Sequence, residues 1–399
     1  MSYLKDFFKK IIIKLLLIRA KSVLKKGSKV CAITGSVGKT TCKEFLTELL
    51  ELKYDVKSTF KGFNTPIGIM LSILDERESG WSSPLAWIKI LFRVYTKRIY
   101  VPDVFVFEYG VDQKGDMDEL LAIAQPEKVI ITHITEVHIA DGQFSSLDEI
   151  LTEKSKIAQN AHIAYIPRGM QIETSGVIEY FNPLGKDQKD GFSFEVDKEL
   201  YHASFFGNFL ASSLAPCVHL ALSEGISSNE IQTILSEFKL PKGRGRLLEG
   251  VNGAMIWDSS YNASPSATRK MLQTLKNLPY ERKIALIGNM NELGPKTAYY
   301  HEQVASVADE CVDLIFFYGE SAEYFKKGIK SKSLEIFKTH EEAVGKLKNI
   351  LKEGDIILIK GSQNKVRLEK VVKKLLKNPE DSVNLARQGE AWDKIGRFI

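Results

Sequence analysis

Apolar and polar residues follow two rhythms along this chain. Short, nearly unbroken apolar runs have the pattern of strands buried on both faces, and longer stretches with apolar positions three and four apart have the pattern of helices packed by one side. "KVCAIT" (29–34) is the first strand-like run, and "CKEFLTELLELKY" (42–54) has helical spacing behind it. "DVFVFEYG" (103–110) and "KVIITHI" (128–134) are further buried strands with a helix near 116–125 between them, and "LDEILTEKSKIAQNA" (147–161) is helical again. From 165 to 205 the chain turns polar and glycine-rich, which predicts short strands and turns. "FLASSLAPCVHLALSEG" (209–225) is a helix that Pro216 is expected to kink or break.

Pro and Gly cluster in "SEFKLPKGRGRLLEG" (236–250), and a second alternating series follows: "AMIWDSS", "KIALIGN", "DLIFFYG" and "DIILIKGS". Strands alternating with helices predict α/β domains with largely parallel sheets. The expected organisation is an N-terminal basic amphipathic helix (1–28) and a central parallel-sheet domain of P-loop type (29–240). A smaller Rossmann-like domain (241–399) with four strands and a terminal helical tail completes it.

Composition narrows the class only mildly. The chain is 44% hydrophobic and 26% charged, and its formal charge of +5 over 399 residues does not require nucleic acid. Cys31, Cys42, Cys217 and Cys311 are scattered without zinc spacing, which suits a reducing cytoplasm. The N-terminal stretch is broken by lysines and falls short of the ~20 apolar residues of a membrane span. It reads as a helix packed on the following domain, the favoured alternative, or as a basic helix making peripheral contact with a membrane surface.

The chemistry gathers around "AITGSVGKTTCKE" (32–44). A common P-loop has four residues between its glycines; here Gly35 and Gly38 enclose only Ser36 and Val37. The stretch still lies between a predicted strand and helix. The glycines allow amide N–H groups to point at an anion, and the helix N-terminus adds its positive end. Lys39 would reach terminal phosphates and Thr40, followed by Thr41, would present its hydroxyl to Mg²⁺. Glu108 closes one strand and His138 follows another; either could join a Mg²⁺ shell, and either could equally be a capping or loop residue.

"ITGSVGKTT" resembles the short T-G-[ST]-x-G-K-[ST]-[ST] loop of the Mur ligases, ATP-dependent amide-forming enzymes of peptidoglycan synthesis. In the same order, "FNTPIGI", "VFEYGVDQKGDMDELLAIAQPEKVIITHITEVHIADGQFSSLDEILTEKSKI", "RGRLLEG", "WDSSYNASPSA", "IGNMNELG…H" and "LIKGS" resemble segments of the family member that adds D-alanyl-D-alanine. The resemblance implies ATP and Mg²⁺ as cofactors, with a UDP-muramoyl peptide and D-Ala-D-Ala as substrates of a monomeric enzyme. It implies that Lys39 contacts phosphates and that Thr40, Glu108 and His138 hold Mg²⁺. Lys154 would carry a carbamate near a second metal; read alone, it is a solvated lysine in a charged helix. Asn208 would lie near the adenine. Arg246 would close over the phosphates, with Asp258, Tyr261 and Asn262 lining the same cleft. Asn64, Thr65, Lys360 and Ser362 would meet the substrates.

Several positions depart from the family pattern: Ser259 for the second acid of D-D-S-Y-N, Asn289 for the aspartate of G-D-M, His133 for an asparagine, and Ala211 for a second asparagine after Asn208. Family members also carry an N-terminal domain for the UDP end of the substrate, whereas 28 residues precede the first strand here. Recognition is therefore expected to centre on the peptide, with weak help from Lys9, Lys10, Lys14 and Arg19. Two alternatives stand beside this reading: the same chemistry on a folate, polyglutamate or atypical wall-peptide acceptor, and a non-catalytic nucleotide-binding relative.

Overall fold

A computed structural model describes residues 2–77, 83–135, 143–363 and 366–388, with side chains from Phe8 onward. His138 lies outside the described residues. The first sheet has six strands: β1 (Lys29–Thr34), β2 (Val56–Ser58), β3 (Val104–Glu108), β4 (Lys128–Ile131), β5 (Ile163–Pro167) and β6 (Val177–Phe181). They run parallel in the order β2-β3-β1-β4-β5-β6. Helices cover both faces, and alternate residues of one strand therefore enter different cores. Val30 and Ala32 of β1 pack with α1 (Ser2–Leu24), α3 (Pro66–Ile73), α4 (Pro84–Thr96), α5 (Asp116–Ile123) and α6 (Leu147–Ser155). Cys31 and Ile33 pack with α2 (Lys39–Leu50) and α7 (Ala211–Ser223).

Helix α1 takes the packed position. Leu16, Ala20 and Val23 are fully buried in the first core. Arg19 donates to the carbonyls of Val94 at 2.9 Å and Lys97 at 3.4 Å, so it is engaged within the fold. Among the described residues no helix is long and apolar enough to cross a membrane. Helix α7 continues through Pro216 without a break. A mid-helix proline costs ~3 kcal/mol, and the burial of ten of the helix's 13 residues, Ala211–Val218 without interruption, offsets it.

The polar stretch after β6 forms an antiparallel sheet of β7 (Lys186–Gln188), β8 (Gly191–Val196) and β9 (Glu199–Ala203). The second large sheet comprises β10 (Arg246–Glu249), β11 (Met255–Ser259), β12 (Arg282–Gly288), β13 (Leu314–Tyr318), β14 (Leu334–Phe337) and β15 (Asp355–Lys360), in the order β10-β11-β15-β12-β13-β14. It has six strands where four were expected. The two additions are the edges, half-buried and only four residues long, and so lack a buried strand's apolar run. Strand β10 is antiparallel to β11, which makes this sheet mixed. The tail forms a 3-10 turn over Pro379–Asn384 where a helix was expected; residues from Gly389 lie outside the described residues.

Candidate active site

Strand β1 lies at the middle of the first sheet, between β3 and β4, where connections leave to opposite sides. Crevices at the carboxyl ends of such strands are the usual ligand sites of open α/β sheets. The glycine loop fills this position, pinned by the end of β4. Ser36 and Val37 donate their N–H groups to the His133 carbonyl at 3.0 and 3.2 Å, and the Thr132 hydroxyl donates to the Val37 carbonyl at 2.8 Å. His133 thus holds the loop through its backbone carbonyl. Gly38 caps α2 with φ of 90°, and a Cβ there would lie 2.1 Å from Ser213 Oγ on α7.

Lys39 donates to the Gly35 carbonyl at 2.8 Å, which folds its ammonium back over the loop. Burial pushes this ammonium below the usual lysine range, with Glu108 and Asp112 opposing and Arg244 assisting. The Thr40 hydroxyl donates to Glu108 Oε2 at 2.9 Å, so the predicted hydroxyl and carboxylate do meet. Thr41 is buried beneath the loop. Asn64 accepts from Gly110 N–H through its backbone carbonyl at 2.8 Å, and Thr65 caps α3 through its hydroxyl by accepting from Gly68 N–H at 3.4 Å.

Lys154 is 0% exposed, which removes the solvated-lysine alternative. Its ammonium donates to the Val111 carbonyl at 2.7 Å. Burial first, then the Lys39 charge, lowers its pKa to about 7. Neighbouring Glu153 is turned away to cap α5, accepting from Gly115 and Met117 N–H groups at 2.9 and 3.0 Å.

The second sheet brings its own carboxyl edge to the crevice. Ser36, Val37, Gly38 and Thr41 share one pocket with Arg244, Ser259, Asn262 and Lys360. Lys360, at the end of β15, donates to Ser259 Oγ at 3.1 Å and to the Asn262 carbonyl at 2.7 Å. The Ser259 departure therefore swaps a carboxylate for a hydroxyl that still meets this lysine. Burial and the Arg244 charge lower the Lys360 pKa to about 7, against Asp258. Asp258 is fully buried; Ser260 N–H donates to its Oδ1 at 3.0 Å, and burial raises its pKa. Asp258 Oδ2, Ser260 Oγ and Ser362 Oγ are buried and find no hydrogen-bond partner among the described residues. Asn289 accepts from Ser321 N–H at 2.9 Å and braces the turn after β13.

Two placements differ from expectation. Arg246 does not line the pocket: it donates to the Leu240 carbonyl and, at 3.4 Å, to Asn384. Arg244, two residues earlier in the same R-G-R, lines it instead and lays its guanidinium 4.3 Å from the centroid of the Tyr261 ring. Arg387 stacks on that ring as well, at 4.6 Å. Asn208 donates to Asp187 at 3.0 Å, and it is Phe206, Phe209 and Leu210 that line the pocket. With Trp257, Met271 and Leu293 they form an apolar end, a surface suited to a flat base. The sequence signal for both placements was local: the first arginine of the R-G-R, and the aromatics flanking Asn208.

A nucleotide fits these residues. The positive-φ glycines leave a cradle that a side chain would fill, and Lys39 and Arg244 supply cations at its rim. Among the described residues no group of three or more His, Cys, Asp or Glu could hold a metal. Thr40 and Glu108 give the sparse protein set that Mg²⁺ accepts when phosphates and waters complete its octahedron.

Comparison with known proteins finds similar chains and a similar fold. The Mur ligase middle domain matches residues 33–177, and the Mur ligase glutamate ligase domain matches residues 243–363. The UDP-N-acetylmuramoyl-tripeptide–D-alanyl-D-alanine ligase of Borreliella burgdorferi is 30% identical over 386 residues, covering 90% of this chain and 78% of that protein. The ligase of the same name from Bacillus subtilis is 25% identical, covering 90% and 79%. The crystal structure of a MurF ligase from Thermotoga maritima in complex with ADP superposes with a TM-score of 0.76 at 24% identity, over 93% of this chain and 84% of that one.

Proposed function

Because the chain belongs to the Mur ligase family, we propose that it is an ATP-dependent ligase joining D-alanyl-D-alanine to a UDP-muramoyl tripeptide. The observation that carries this reading is the single pocket shared by the glycine loop of one unit and Arg244, Asn262 and Lys360 of the other. Ligation needs such a place, because a phosphate donor, a carboxylate and an amine must meet there without water.

The reaction begins when the peptide carboxylate attacks the γ-phosphorus of ATP, forming an acyl phosphate and releasing ADP. The amine of D-Ala-D-Ala then attacks the acyl carbon, and phosphate departs. Mg²⁺, held by Thr40 and Glu108, would supply charge neutralisation at the phosphates. Lys39 and Arg244 offset the charge gathering on the moving phosphoryl group, the largest contribution in transfers of this type. The full burial of Lys154 near the Lys39 charge, which lowers its pKa and favours the neutral amine, supports the carbamate role. The apolar slot takes the base, and Lys360 with Ser362 orients the amine substrate. The two units closing on each other keep water from the acyl phosphate.

Completion of the pocket within one chain supports a monomer, and four unpaired cysteines support work in the reducing cytoplasm. The test is ADP release with ATP and Mg²⁺ across a matrix of carboxylate and amine substrates. Release should require both the UDP-muramoyl tripeptide and D-Ala-D-Ala. Release only with a folate and glutamate, or none with any pair, would overturn the assignment.

A further inference from the structure

Helices α1 and α4 bury one side and leave the other strongly apolar. On α4, Leu85, Ile88, Phe92 and Tyr95 are 69%, 60%, 70% and 46% exposed, at intervals of three, four and three residues. Ile11 and Ile18 of α1, seven residues apart, are 39% and 53% exposed. The opposite sides are fixed in the core through Leu16, Ala20, Ile90 and Val94. The helices are also tied to each other: Tyr95 donates its hydroxyl to the Leu15 carbonyl at 2.9 Å, and Arg19 donates to that of Val94. The outward stripes are therefore neighbours on a fixed surface. These helices, of 23 and 13 residues, carry seven of the 17 large apolar side chains exposed among the described residues. Such a concentration marks an interaction face.

The charge on this face selects the partner. Helix α4 has no acidic residue, and α1 has none after Asp6. Lys9, Lys10, Lys14 and Lys89 are exposed among the apolar positions and form no ion pair among the described residues. A second copy docking by the same face would set lysine against lysine, which is unfavourable. An anionic, apolar and laterally adaptable surface satisfies both features. A helix pair lying in the headgroup region buries its apolar side to a depth of ~5–10 Å while its lysines meet lipid phosphates. We propose that the outer face of α1 and α4 is a docking surface for an anionic lipid bilayer, which holds the protein on the membrane without spanning it. None of the pocket-lining residues belongs to either helix, so docking leaves the pocket open.

The test is co-sedimentation of the full chain with vesicles of phosphatidylcholine alone or mixed with phosphatidylglycerol; it requires no catalytic activity and stands apart from the ligase reading. Binding should appear on the mixed vesicles, weaken as salt is raised, and be slight on the neutral ones. Ile88→Asp/Phe92→Asp should lower the partition coefficient about tenfold or more. Lys10→Glu/Lys14→Glu, which leaves the apolar stripe intact, should remove the preference for anionic vesicles. Both variants should keep the parent's melting temperature, since the side chains are exposed. Absence of binding to mixed vesicles, or equal binding by the parent and both variants, would overturn the proposal. So would a dimer broken by Ile88→Asp/Phe92→Asp in a protein that ignores vesicles, which would assign the face to self-association.

Discussion

The ammonium of Lys39 folds over its own loop at 2.8 Å from the Gly35 carbonyl, at the place where a terminal phosphate would lie. Lys39→Ala should cut ATP-dependent turnover by roughly two to four decades, the scale of losing one electrostatic donor. Undiminished turnover would remove the loop from the mechanism. Lys360 makes a second prediction, on stability. Its folded pKa of about 7 lies below the ordinary lysine value of 10.5. Below pH 7 the folded state holds a buried charge and carries the whole cost. Between pH 7 and 10.5 the folded state gives up the proton that the unfolded state retains, so stability rises with pH. Lys360→Met removes the ammonium, and its melting temperature relative to the parent should therefore fall by a few degrees from about pH 6 to pH 9.5. A difference that stays flat with pH would contradict the burial argument. At this scale the sequence was legible where a motif fixes the backbone, as at Gly35 and Gly38. It was not legible at Lys154, whose burial depends on α6 packing beneath the loop, nor at the choice between Arg244 and Arg246, which the start of an edge strand decides.

Among the elements, the loop and α7 approach each other closely at Gly38. Gly38→Ala would bring a Cβ to 2.1 Å from Ser213 Oγ at a φ of 90°. The clash and the backbone strain are separable. Gly38→Ala/Ser213→Ala should be more stable than Gly38→Ala alone, with a residual cost of ~1–2 kcal/mol from the left-handed backbone. Urea unfolding of the two variants measures this, and equal stabilities would show that the helices yield instead. The buried strands and amphipathic helices were readable from their periods because burial on two faces imposes continuous apolar runs. Edge strands β10 and β14 escaped because half their surface faces solvent. Helix α7 shows the reverse effect, tertiary burial carrying a helix through Pro216.

At the scale of the molecule, two sheets present their carboxyl edges to one pocket, and neither unit holds the whole site. Arg244 belongs to the second unit, so Arg244→Ala should lower kcat by ten- to a hundredfold or more while changing ATP binding less, and Arg246→Ala should have the smaller effect on kcat. Equal losses in kcat and in ATP affinity for Arg244→Ala would make it a ground-state contact. The order of motifs made this two-unit arrangement legible in the sequence, whereas the apolar end of the pocket arises only from folding, which gathers Phe206, Phe209, Met271 and Leu293 from distant segments. The central claim is that this pocket activates a carboxylate as an acyl phosphate. It is tested most directly by supplying UDP-muramoyl tripeptide labelled with ¹⁸O in its reacting carboxylate, together with ATP, Mg²⁺ and D-Ala-D-Ala, and analysing the released phosphate by mass spectrometry. One labelled oxygen should pass to phosphate in each turnover, because the carboxylate oxygen that attacks phosphorus leaves with it. Unlabelled phosphate accompanying ligated product would contradict the account.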